Sequence, residues 1–184
     1  MITVFIGGSR KISTLNQEII SRIKNILNKD GMILIGDANG ADKTVQKYLT
    51  EIGYKNVIVF CAGESCRNNL GNWETRNILS ESKKKDFNFF AHKDKAMSKE
   101  ADYGFMLWDG KSKGTINNAV NLLKAEKKVL IFHSKYKNFI SVSKMDDLRQ
   151  LLKSCDEPTK EKLIIDLNLT ELKDELRQKD LSYV

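Results

Sequence analysis

The sequence is defined first by what it lacks. No apolar run approaches the ~18 residues needed to cross a bilayer, so no membrane-spanning helix is expected. The opening stretch Met1–Gly8 has neither a basic leader nor a small-residue cleavage site, and it reads as a strand, not a secretory signal. Cys61, Cys66 and Cys155 are odd in number and lack a CxxC spacing. Neither a disulfide framework nor a zinc site is expected, and a reducing cytoplasm is the expected location. Nothing repeats at a fixed period, which excludes a solenoid. The GxxxxGK[ST] order of a P-loop is also absent.

What is present is a 184-residue chain, suited to one globular domain with a buried core. Its formal charge of +7 is unevenly placed. Residues 135–184 hold 10 basic and 10 acidic side chains, so the excess lies in residues 1–134, with 21 against 14. A basic core domain favours anionic partners, from small phosphates to nucleic acid. Most of these lysines, however, fall at solvent positions of helices, the ordinary fate of such charge.

Short β-branched runs alternate with amphipathic stretches along residues 1–133. Strands are expected at Ile2–Ile6, Met32–Ile35, Val57–Phe60, Tyr103–Trp108 and Val129–Phe132. Helices are expected over Leu15–Leu27 (with Ser13 or Thr14 as cap), Ala41–Ile52, Lys93–Ala101 and Thr115–Glu126. This alternation predicts an α/β, Rossmann-like, doubly wound and mainly parallel sheet with helices on both faces. Residues 61–90 read as a long functional loop with a helical turn near Trp73–Leu79, and Arg67, Asn68, Asn69, Trp73 and Arg76 suit a lid. Residues 134–184 form a helical C-terminal extension broken at Pro158. Its leucines would pack on the domain or on a second subunit.

In such sheets ligands bind beyond the carboxyl ends of the strands, and three segments fall there. Gly8, Ser9 and Arg10 follow the first strand, offering backbone N–H groups, a hydroxyl and a guanidinium that can grip phosphate. Gly36, Asp37, Asn39, Gly40, Ala41 and Asp42 follow the second. Gly40 and Ala41 open a helix whose dipole favours phosphate, and Asp42 suits a sugar hydroxyl or the dipole itself. Asp109, Gly110, Ser112, Lys113, Gly114 and Thr115 follow the fourth expected strand and repeat that logic. The three are expected to converge on one anion site.

These segments, with Lys93-Asp94-Lys95-Ala96-Met97 ahead of Ala101-Asp102, together resemble the SLOG superfamily, and within it the YspA-like branch. That superfamily also holds the DNA-processing protein DprA and the lonely-guy phosphoribohydrolases. The resemblance spans residues 1–133. It implies a Rossmann-like fold that binds nucleotides or their derivatives, as a homodimer or higher homo-oligomer. Lonely-guy enzymes carry a PGGxGTxxE pattern and an RKxxM stretch. Here Asn118 stands at the glutamate position, Lys111-Ser112 at the paired glycines, and Lys93 at the arginine. An amide cannot serve as the carboxylate base.

Asp37, Asp42, Asp94 and Asp109 all lie near expected strand ends or helix starts, and Asp109 is the best candidate for a catalytic carboxylate; its alternative role is hydrogen bonding to the backbone of its own turn. Trp108 could stack on a base or sit in the core. His92 could pair with phosphate, although a lone histidine near a helix start is commonly a cap or a surface residue, and His133 is expected to end a strand without a ligand. The leading expectation is a sensor or ligand-capturing protein for a nucleotide or nucleotide-derived phosphate, with no cofactor, no metal and no membrane partner. Cleavage of a nucleotide N-glycosidic bond ranks second, and single-stranded nucleic-acid binding third.

Overall fold

A computed structural model describes residues 1–79, 84 and 86–169. In chain order the elements are β1 (Thr3–Gly8), α1 (Gln17–Leu27), β2 (Met32–Gly36), α2 (Ala41–Glu51), β3 (Val57–Ala62) and β4 (Glu74–Ile78). There follow α3 (Phe87–Glu100), β5 (Tyr103–Trp108), α4 (Lys113–Lys124), β6 (Lys128–His133), β7 (Asn138–Val142), α5 (Met145–Leu152) and α6 (Glu157–Asp166). The seven strands form one sheet in the order β4-β3-β2-β1-β5-β6-β7, and every pairing is parallel except that of β6 with β7. This is the α/β, Rossmann-like fold that the alternation of apolar runs predicts.

The five inner strands β1, β2, β3, β5 and β6 are largely apolar on both faces because each face is covered. On one side Val4, Ile6, Ile33, Ile35 and Val59 pack against Ile19 and Ile23 of α1 and Val45 and Leu49 of α2. On the other, Phe5, Leu34, Phe60 and Met106 meet Met97 of α3, Ile116 and Ala119 of α4, and Leu148, Leu151 and Leu163 from α5 and α6. Each fully buried aliphatic side chain contributes roughly 1.5–3 kcal/mol. Residues 142–169 therefore contribute to the same core as residues 1–133, and β7 extends the sheet.

Several local features differ from the sequence expectation. Glu74–Ile78 is an edge strand, not a helical turn. It pairs only with β3 and is largely exposed, so it carries no alternating apolar signal. Helix α3 starts at Phe87, six residues early, because Asp86 caps it by accepting the N–H of Phe89 at 3.1 Å. Asn16, not Ser13 or Thr14, caps α1. The extension opens with the strand β7 before its helices, and Pro158 sits in the first turn of α6, where its missing N–H costs nothing.

Cys61 and Cys66 are joined in a disulfide with Cα atoms 5.0 Å apart, whereas the cysteine count gave no reason to expect a bridge. Reasoning from number and spacing asks about frameworks and zinc sets, and a single local staple escapes both. Cys155 is free. Among the described residues no helix is long and apolar enough to cross a membrane, and no group of three or more His, Cys, Asp or Glu could hold a metal ion.

Candidate functional site

The chain builds outward from β1 through β2 to β3 and β4, then α3 returns it to the other side of β1 as β5. Between the carboxyl ends of β1 and β5 the connections diverge, and the crevice of a doubly wound sheet opens there. A cleft of about 500 Å3 occupies this point. All three glycine-bearing loops reach it, through Gly8, Ser9 and Arg10, Ala38 and Asp42, and Asp109, Ser112 and Gly114.

The first loop is knitted to its neighbours by backbone bonds. Ser9 donates its N–H to the Leu107 carbonyl at 2.9 Å, and its own carbonyl accepts from Ala41 at 3.0 Å and Ile12 at 3.2 Å. A Cβ on Gly8 would overlap the Leu107 carbonyl oxygen, so glycine is required by the close passage of β5. Arg10 is exposed at the mouth, with its guanidinium 5.6 Å from the Phe90 ring centre.

The second loop is mostly turned inward. Asp37 is fully buried and receives Arg67 through Nε at 3.0 Å, Nη2 at 2.5 Å and the backbone N–H at 3.1 Å. Burial would raise the Asp37 pKa, but the hydrogen bonds from Arg67, helped by the charge of Lys93, outweigh it and hold the carboxyl below its ordinary value. Asn68 donates to the Asp37 carbonyl at 2.7 Å and to Asn39 Oδ1 at 3.2 Å. Gly40, at φ +83°, packs on the Arg10 backbone, and Ala41 is fully buried.

The third loop holds its shape through Asp109, whose Oδ1 accepts the N–H groups of Lys111 at 3.1 Å and Ser112 at 2.7 Å. Ser112 caps α4 by accepting from the Thr115 N–H at 3.4 Å and hydroxyl at 3.0 Å. The amides of Lys113 and Gly114 come earlier in that turn and have no acceptor within the helix. Space beside Gly114 is open. Trp108 lies fully in the core and donates from Nε1 to the Ser112 carbonyl at 3.2 Å.

The floor joins Asp42, expected at the site, to Lys93, Asp94 and Asn118 from the interiors of α3 and α4. Lys93 of α3 is only 3 % exposed, and its Nζ lies 2.6 Å from Asp94 Oδ1. Asn118 of α4, with its amide nitrogen turned toward both, donates to Asp94 Oδ2 at 3.2 Å and to the Gly114 carbonyl at 3.1 Å. Asp42, 7 % exposed, accepts the Ala38 N–H at 3.2 Å. A Cβ on Gly36 would overlap Asp42 Oδ2 and stand 2.7 Å from Lys93 Nζ, so this glycine makes room for the floor. Burial pushes Asp42 up to about 6, against the pull of Lys93 and with repulsion from Asp94 adding to the rise. Burial would lower Lys93, but Asp94, Asp42 and Asp37 outweigh it, and the ammonium stays charged.

The wall opposite is aromatic. Phe90 and Phe87 of α3 line it, and the Arg67 guanidinium stacks 4.4 Å from the Phe90 ring centre. Arg67 is tied down by Asp37, Asn69 and Trp73 bond each other, and Arg76 pairs with Glu100. Of the residues grouped as a lid, Arg67 lines the crevice, while Asn68, Asn69, Trp73 and Arg76 are held in the fold behind it. His92 is exposed; His133 is buried between Trp108 and Tyr136, with rings centred 5.0 and 4.5 Å away.

Of the residues singled out from the sequence, Gly8, Ser9, Arg10, Asp42, Asp109, Ser112 and Gly114 line the cleft. Gly36, Asp37, Asn39, Gly40, Ala41, Gly110, Lys113 and Thr115 lie outside its lining. Lys93 had a signal in the sequence: Phe89, Lys93 and Met97 recur at four-residue spacing, which places a lysine on the apolar stripe of a helix. Comparison with family models, curated proteins and solved structures yields no match to this chain.

Proposed function

We propose that the chain captures a nucleotide or nucleotide-derived phosphate in this cleft, as a sensor or ligand-capturing protein of the SLOG type that its motifs resemble. The observation that carries the reading is the meeting of three loops at one crevice, with the open first turn of α4 on one side and Arg10 and Lys11 at the mouth. Unpaired helix amides and a guanidinium are the donors a phosphate takes. Phe87 and Phe90 supply an apolar wall for a base.

Arg10→Ala tests it. Titration calorimetry with the nucleoside 5'-monophosphates should show roughly tenfold weaker binding, the usual worth of one charge-assisted contact, with an unchanged melting temperature. Unchanged affinity removes Arg10 from the site. Mass spectrometry of ligand released from the purified protein names the compound.

Cleavage of an N-glycosidic bond is the second reading, favoured by one observation. Lys93 and Asn118, which stand where lonely-guy enzymes carry arginine and glutamate, both grip Asp94. A carboxylate is therefore held near that place from a different helix, while Asp109 is engaged in its own turn. Release of free base, lost in Asp94→Asn, would support this reading; no turnover across a nucleotide panel removes it. A nucleic-acid strand is disfavoured by charge, since the cleft's four cations (Arg10, Lys11, Arg67, Lys93) face four carboxylates (Asp42, Asp86, Asp94, Asp109).

A further inference from the structure

We propose that the floor formed by Asp42, Lys93 and Asp94 is a sugar subsite that takes a vicinal diol, so that the ligand is a ribo-compound and its 2'-deoxy counterpart is rejected. The inference rests on the phosphate-capturing reading above and specifies the part of the ligand next to the phosphate.

The chemistry of the floor is mixed, and that is informative. A phosphate takes donors only, and the face of a base asks for apolar surface. Here a carboxylate and an ammonium stand side by side at the bottom of a cavity, 2.6 Å apart, the lysine buried and the aspartate partly so. A hydroxyl both donates and accepts, so it can give its proton to a carboxylate while accepting from the lysine or from Asn118. Two hydroxyls on neighbouring carbons can present two such protons to one carboxylate. Oδ1 of Asp42 is left for this purpose. Its partner oxygen holds the Ala38 N–H, whereas Oδ1 has no hydrogen bond among the described residues although the side chain is 93 % buried, seven per cent being exposed on the cleft side. That oxygen is not sealed from solvent, so it stands on the cleft as a free acceptor.

Position separates a sugar from the edge of a base. Asn118 spans the gap between Asp94 and the Gly114 carbonyl with one amide, at 3.2 and 3.1 Å. The floor is thus one side chain away from the first turn of α4, where the phosphate belongs. In a nucleoside 5'-phosphate the ribose is joined to that phosphate through a single methylene, while the hydrogen-bonding edge of the base lies beyond the sugar. A ligand anchored by phosphate at α4 lays its ribose over Asp94 and Asp42 and its base toward Phe87 and Phe90.

The experiment is titration calorimetry of the full chain with ribose 5-phosphate and 2-deoxyribose 5-phosphate, then with the four ribonucleoside 5'-monophosphates and their 2'-deoxy forms. Losing a hydroxyl bonded to a buried carboxylate should weaken binding about tenfold or more in every pair that binds. Asp42→Asn and Asp94→Asn should bring the ribo-to-deoxy ratio toward one while binding of inorganic phosphate persists. Asp42→Asn leaves the Lys93–Asp94 pair intact and keeps the test valid should Asp94→Asn fail to fold, as a melting curve will show. Equal affinity for ribo and deoxy partners overturns the sugar subsite and leaves phosphate capture standing. Absence of binding by every phosphate ester and by inorganic phosphate overturns both.

Discussion

The loops after β2 and β5 look alike in sequence and end differently in space. Each follows a buried strand, carries an aspartate directly after it, and opens a helix with a glycine in or beside the first turn. At α2 the opening is filled from within: Ala41 gives its N–H to Ser9, Asp42 takes the N–H of Ala38, and Gly40 lies against the Arg10 backbone. At α4 the first turn faces the cleft, with open space beside Gly114. The difference lies in the neighbours. Loop β1–α1 crosses directly over the start of α2, whereas α6 meets the start of α4 through the Asp166–Lys113 pair and leaves the space beside Gly114 open. A helix N-terminus is an anion site only where no other part of the chain reaches it first.

That contrast can be broken most sharply by giving both glycines a methyl group. Gly40→Ala combines a left-handed backbone with a clash on a fixed main chain and should cost about 3 to 5 kcal/mol. Gly114→Ala should leave stability unchanged or raise it by less than about 1 kcal/mol, while weakening phosphate binding. Urea denaturation of the two variants measures both; similar losses would erase the distinction drawn here.

A smaller effect comes from Asp42, the carboxyl that fills α2. Its folded pKa of about 6 lies above the ordinary 3.8, so the native state holds the proton more tightly. Stability conferred by that proton is present below about pH 4 and is lost as pH rises to about 6, by up to about 3 kcal/mol. Asp37, held below its ordinary value, acts with the opposite sign and only at more acid pH. Lys93 and Asp94 from α3 and Asp37 from the end of β2 are the charges facing Asp42. Chemical denaturation between pH 4 and 7 should show this decline in the native chain and a flatter profile in Asp42→Asn. The smallest effect is at the cap of α4, where Ser112→Ala should cost about 1 kcal/mol in the same assay.

Much of the fold was legible because parallel strands buried on both faces write continuous apolar runs, as in Ile33–Ile35 and Phe105–Trp108. Edge strands leave no such trace. Glu74–Ile78 and Asn138–Val142 each pair with a single neighbour, and their residues answer to solvent as much as to the sheet. At the cleft, loop residues announced themselves through glycine and aspartate, and the role of Asp109 in its own turn could be stated from its place after a strand. The joining of Lys93, Asp94 and Asn118 into one floor was not legible, because they belong to the interiors of two helices. Their meeting depends on how α3 and α4 pack, which no local spacing encodes.

The polar character of β4 has a use of its own. The outermost strand of a sheet exposes a row of main-chain donors and acceptors on which another molecule's strand could add. Glu74 and Arg76 furnish this margin with charge of both signs, and Arg76 is tethered sideways to Glu100. An incoming strand would have to displace those ions from water and from each other before gaining a single main-chain bond. The margin can therefore stay bare without inviting aggregation.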